Sequence, residues 1–117
     1  NKIKQEKIDK MRLNCSNSSH IIAIMMKRQD IERIPEIEEV EAVACAVQNL
    51  HLSATAYGAC GYWSSGSITY LSETRDALGL GDKDRVLGFF YLGLPAKEMK
   101  EGVRGSDYTA KLEWIEQ

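Results

Sequence analysis

Between Glu36 and Tyr57, apolar residues return every three or four positions: Val40, Val43, Ala44, Val47, Leu50, Ala54 and Tyr57. That is the period of one helix face. Glu36, Glu38, Glu39 and Glu41 crowd the first turns, where the helix dipole favours carboxylates, and Gly58 supplies a stop. Beyond the acidic start the stretch carries almost no charge, and Ala42, Ala44, Ala46, Ala54 and Ala56 keep it slim. It predicts a central helix buried on most sides, packed closely against a neighbouring element or a partner subunit.

Two continuous apolar runs flank this helix. His20 to Met26 (HIIAIMM), with two adjacent isoleucines, reads as a central strand buried on both faces. Arg85 to Leu94 (RVLGFFYLGL) is β-branched and aromatic enough for a second strand in a sheet interior. Residues 1–12 carry Ile3, Ile8 and Met11 at roughly helical spacing, and Asn14 to Ser19 reads as a loop. Ser72 is expected to cap a short helix through Ala77, ended by Gly79. Leu112, Trp114 and Ile115 suggest a terminal strand seeking an edge.

The chain has 117 residues, one domain's worth, and its 15 Lys+Arg against 17 Asp+Glu leave a net charge of −2. This removes the general electrostatic attraction behind most nucleic-acid binding, so no nucleic-acid partner is expected. The densest basic patch is Lys2, Lys4, Lys7, Lys10 and Arg12, set against Glu6 and Asp9. No apolar run approaches the roughly 20 residues that span a bilayer, and no membrane partner is expected. Cys15, Cys45 and Cys60 lie far apart, an odd count that fits a reducing, cytoplasmic setting; Cys45 reads as a small buried residue. With two histidines and no C-x-x-C pair, a metal site has almost no ligands to draw on.

Gly58 to Ser67 (GACGYWSSGS) reads as a Gly/Ser loop released by the long helix. It matches neither the P-loop nor the G-x-G-x-x-G dinucleotide pattern. Such a loop offers unpaired backbone N–H groups, small side chains and the aromatic Trp63 in one place, a surface suited to the polar edge of a flat heterocycle. The plainer reading is a connection with Tyr62 and Trp63 as core plugs. His51 reads as a half-buried helix residue, and no side chain is assigned as a catalytic acid, base or nucleophile.

The ordered set Glu41 to Ser67 (EAVACAVQNLHLSATAYGACGYWSSGS) and Leu71 to Pro95 (LSETRDALGLGDKDRVLGFFYLGLP) resembles the C-terminal half of the FMN-dependent nitroreductase family. The match covers most of residues 18–105. The resemblance implies an α+β fold, a three-layer α/β/α sandwich around a mostly antiparallel sheet, of which residues 1–117 form the C-terminal portion of a single domain. The chain opens on Asn1 inside a charged, uncapped run, and the family's FMN-binding N-terminal segment has no counterpart here. The expectation is a fragment, inactive alone.

The resemblance further implies a homodimer with FMN at the subunit interface and a ping-pong reaction. NAD(P)H is the electron donor, and a nitroaromatic, quinone or similar small molecule is the acceptor. Trp63, Ser64, Ser65 and Gly66 match the family segment along the flavin ring, where the N–H groups corresponding to Ser65 and Gly66 point to the flavin N5 and O4. Ser65 stands where many relatives carry a carboxylate. Arg104 matches a basic position that contacts the FMN phosphate, a role that suits a guanidinium. The alternative is a non-catalytic dimer, flavin-binding or merely structural.

Overall fold

The β-branched and aromatic run Arg85–Gly93 forms the middle strand of a three-stranded antiparallel sheet. A computed structural model describes residues 5–98 and 100–115. In chain order the elements are α1 (Gln5–Ser16), β1 (His20–Met26), α2 (Glu36–Ala56), β2 (Cys60–Ser64), a 3-10 turn (Ser67–Tyr70), α3 (Ser72–Ala77), β3 (Arg85–Gly93) and a second 3-10 turn (Tyr108–Lys111). The sheet order is β1-β3-β2, with His20 opposite Leu92 and Trp63 opposite Phe90.

Strand alternation divides β3 between two layers. Phe90, fully buried, joins Ile24 of β1 and Val47 of α2 in the core, with Val43, Leu50 and Leu87 packed around them. Phe89 and Tyr91 face the other way, toward α1. The sheet thus has a helix on each side, which agrees with an α/β/α sandwich.

A polar knot ties the ends of these layers together. The Arg28 guanidinium, just past β1, pairs with Glu39 in the first turns of α2 and donates to the Ile34 carbonyl at 2.9 Å. Glu39 also accepts from the Gln29 N–H at 3.1 Å. Asp84, at the entry to β3, accepts from the backbone N–H groups of Arg28 and Gly81, both at 2.8 Å. Both acids are buried. The Arg28 hydrogen bond holds the Glu39 carboxyl below its ordinary range, and the N–H groups of Arg28 and Gly81 do the same for Asp84.

Several sequence expectations are corrected. The His20–Met26 strand lies at an edge of the described sheet, with Ile21 and Met25 exposed; the middle position goes to β3, whose Phe90 fills the core. The loop expected over 58–67 contains a strand, because Cys60 to Ser64 hydrogen-bond along β3. The long helix ends as expected, with Gly58 at φ +75°, but it is not buried on most sides. Glu39, Val47 and Ala54 are its buried residues, whereas Leu52 and Cys45 are exposed, since a single sheet covers one helix face.

At the ends of the chain, α1 runs through Cys15 and Ser16 into the expected loop. Ser72 is the first residue of α3 rather than its cap, donating its hydroxyl to Glu73 at 3.1 Å. No strand forms over Leu112, Trp114 and Ile115, which are exposed and have no ladder partner among the described residues. Lys2, Ile3 and Lys4 lie outside the described residues.

Candidate functional site

Where β2 leaves the sheet, Ser64 is its last paired residue, opposite Phe89. Ser65 and Gly66 then carry the chain into the 3-10 turn, which the Thr69 N–H closes on the Gly66 carbonyl at 2.9 Å. Among the described residues, the N–H groups of Ser65 and Gly66 have no backbone partner. Both residues are exposed. Gly66 has open space around it: a Cβ there would find only the Ser64 hydroxyl, 3.8 Å away.

Beside this turn lies a cavity of about 220 Å³ between the sheet and α1. Phe89 and Tyr91 of β3, with Tyr62 of β2, form an aromatic floor. Ser64 and Gly66 form one side, and Lys7 and Lys10 of α1 stand at the other. A flat apolar floor of this kind fits a planar ring, and the Ser65 and Gly66 N–H groups without backbone partners lie in the adjoining turn. Among the described residues no cluster of three or more His, Cys, Asp and Glu could hold a metal ion. No described helix is long and apolar enough to cross a membrane.

Two of the residues singled out from sequence therefore meet at the cavity, Ser64 and Gly66, with Ser65 between them in the chain. Trp63 points to the opposite face of the sheet, as alternation along β2 requires. Its indole N–H donates to the Leu87 carbonyl at 3.1 Å, pinning the ring across β3. The expected core plugs are not plugs: Tyr62 is largely exposed at the cavity and Trp63 is partly exposed. Arg104 is exposed, in the irregular tail ahead of the second 3-10 turn, and does not line the cavity. His51 is half-buried and meets Phe90 edge-on, with ring centroids 5.5 Å apart, a packing role.

Sequence reasoning missed the α1 wall and the aromatic floor. Lys7, Lys10, Met11 and Asn14 share one helix face at spacings of three and four, and Phe89 and Tyr91 alternate on one strand face. Both periods are present in the sequence. Nothing in it says that those two faces meet.

A nitroreductase-like α+β fold is what this architecture amounts to, and comparison with known proteins bears on the same point. A structure described as a nitroreductase-like family protein from Bacillus cereus superimposes with a TM-score of 0.75 at 24% identity, covering 98% of this chain and 63% of that one. NfrA1 of B. megaterium gives a TM-score of 0.60 at 20% identity, over 87% of this chain and 51% of that one. By sequence, the chain is 31% identical over 102 residues to the "Putative NAD(P)H nitroreductase YdjA" of Escherichia coli K12, covering 87% of this chain and 56% of that protein. It is 27% identical over 99 residues to the "Putative NAD(P)H nitroreductase YfhC" of Bacillus subtilis, covering 83% of this chain and 50% of that protein. No family model matches. The chain is thus homologous to proteins named as NAD(P)H nitroreductases and spans about half the length of the curated relatives it matches.

Proposed function

We propose that the protein carrying this chain is an FMN-dependent oxidoreductase. It takes electrons from NAD(P)H and passes them, by a ping-pong mechanism, to nitroaromatics, quinones or similar acceptors. The observation that carries this reading is the Ser64–Gly66 exit from β2, where the N–H groups of Ser65 and Gly66 have no backbone partner among the described residues, beside an aromatic-floored cavity that Ser64 and Gly66 line. The homology to named NAD(P)H nitroreductases supports the same reading.

Bound FMN supplies the acceptance of hydride from NAD(P)H and the delivery of electrons to the second substrate. The chain's part is binding and electrostatics. Ser65 and Gly66 offer N–H donors to the flavin's N5 and O4 edge, where they stabilise negative charge on the reduced ring. The missing side chain at Gly66 lets backbone approach that edge closely. Ser64 shapes the rim, and Trp63, held by Leu87 on the far face, fixes the strand end from which the turn departs. Arg104 is assigned to the phosphate, whose charge a guanidinium matches. No acid or base side chain of this chain is needed. Beyond its acidic first turns the exposed face of α2, with Cys45 and Leu52, carries no Asp, Glu, Lys or Arg, which supports a homodimer with flavin at the interface; the cytoplasm is the proposed setting.

Gly66 provides the test. Its φ of −63° already suits proline, so Gly66→Pro removes the N–H without changing φ. In the full-length protein, FMN affinity measured by flavin fluorescence is expected to fall about tenfold or more, the cost of a lost hydrogen bond to a charged group. Gly66→Ala keeps the donor and should lose far less. A full-length protein that binds no FMN and shows no FMN-dependent NAD(P)H oxidation overturns the reading. One that binds FMN without turnover marks a non-catalytic flavin protein.

A further inference from the structure

The basic opening of the chain has no part in the flavin contacts, and the fold gives part of it a location. Lys7 and Lys10 lie on the face of α1 that also carries Met11 and Asn14, and all four line the cavity together with Ser64 and Gly66. Among the described residues no Asp or Glu lines this cavity. Two acids lie on α1: Asp9, which accepts from Gln5 at 3.0 Å and lies 4.0 Å from Arg12, and Glu6, next to Lys7 and one turn before Lys10, which does not line the cavity. Among the described residues neither Lys7 nor Lys10 forms an ion pair. The space therefore combines a flat apolar floor, Phe89 and Tyr91, with two lysines along one side and, among the described residues, no acid in its lining.

We propose that this wall selects the electron acceptor: the cavity takes one- or two-ring aromatic acceptors that bear an anionic group, a carboxylate or sulfonate, which Lys7 and Lys10 hold while the ring rests on Phe89 and Tyr91. The inference rests on the flavin reading for its redox role, but the anion preference is a property of the cavity and can be measured without turnover. Three features decide for an acceptor over the cofactor. With the flavin edge met at Ser65 and Gly66, beside the cavity, the volume of about 220 Å³ is left to a small ring system. Ser65 does not line the cavity whereas Lys7 and Lys10 do, which leaves the lysine side to a second molecule. Two exposed ammonium groups favour an anion by a modest, salt-sensitive factor, suited to discrimination among substrates that exchange rapidly.

The test compares 4-nitrobenzoate with 4-nitrobenzamide, of similar shape and unlike charge, on the full-length protein. Calorimetric titration should show the acid binding about fivefold more tightly at low salt, a preference that shrinks at high salt. Lys7→Gln with Lys10→Gln should abolish it, and Lys7→Glu with Lys10→Glu should reverse it. In turnover, each nitro group takes two electrons and two protons from NAD(P)H and H⁺, giving the nitroso compound, NAD(P)⁺ and water, and the ratio of kcat/KM values should follow the binding ratio. Equal binding of the two ligands in the unaltered protein overturns the proposal. So does a preference that survives the lysine changes, or lysine variants that lose FMN affinity with the ratio intact. A protein that keeps the anion preference yet binds no FMN refutes the flavin reading alone.

Discussion

The ring of Phe90 occupies the space that any side chain at position 61 would need: a Cβ on Gly61 falls 2.2 Å from its Cζ. β2 lies against β3 because residue 61 has no side chain. Gly61→Ala must displace a fully buried ring and is expected to cost about 1–3 kcal/mol in chemical denaturation. Phe90→Leu opens room for the new methyl. The double variant should therefore be more stable than the sum of the two single losses predicts, by about 0.5 kcal/mol or more.

Gly88 makes a second close approach, with backbone strain added. Its φ is +131°, and a Cβ there would lie 2.5 Å from the Ser64 carbonyl oxygen and 2.8 Å from the Trp63 indole nitrogen. Gly88→Ala should push the end of β2 away from β3. The expected loss is about 1–3 kcal/mol in thermal unfolding, together with weaker FMN binding, because the Ser65–Gly66 donors move with it. Gly102→Ala, where nothing lies within 4 Å, serves as the reference and should change neither measurement.

Trp63 is anchored by its hydrogen bond to Leu87, whereas Trp114 is largely exposed. Trp63→Phe keeps the aromatic ring and loses the donor, at an expected cost of about 1 kcal/mol. With Trp114→Phe as background, the emission of Trp63 is read as the difference between that variant and the one that also carries Trp63→Phe. Its emission is expected to lie to the blue of Trp114 and to be quenched as FMN binds, which a fluorescence titration reads directly.

The knot at Arg28 sets an acid limit on stability. Glu39 and Asp84 both have folded pKa values held below their unfolded values of about 4.3 and 3.9. Their contribution is therefore fully present above about pH 5 and is lost as pH falls through the lowered folded values. Urea midpoints followed from pH 7 down to about pH 3 should fall steeply only in the lower part of that range. Glu39→Gln and Asp84→Asn should lower the midpoint at pH 7 and flatten the acid slope, since neither amide titrates.

Periodicity within a segment was legible in the amino-acid sequence; its partners in space were not. The three-and-four spacing of Val43, Val47 and Leu50 located α2 to within a residue at its C-terminal end, with Gly58 past the stop. The aromatic run located β3. The strand inside GACGYWSSGS escaped because its glycine reads as a loop former, and Gly61 shows its purpose only once Phe90 is seen above it. Burial was overestimated for Cys45, since a helix's apolar composition does not say how many faces are covered. At the candidate site, Ser64 and Gly66 were visible through the family resemblance. Lys7 and Lys10 were visible only as charge, because their relation to Tyr91 is set by tertiary folding.

The β1-β3-β2 order has a consequence for synthesis on the ribosome. The strand that both others require is the last of the three to be translated, and the partners His20 and Leu92 are separated by nearly the whole sheet-forming part of the chain. Among the described strands, β1 and β2 have no common ladder to join until Gly93 has left the exit tunnel. A ribosome paused between Ser64 and Arg85 would thus hold β1 and β2 without the strand that joins them, the condition in which chaperone capture and aggregation compete.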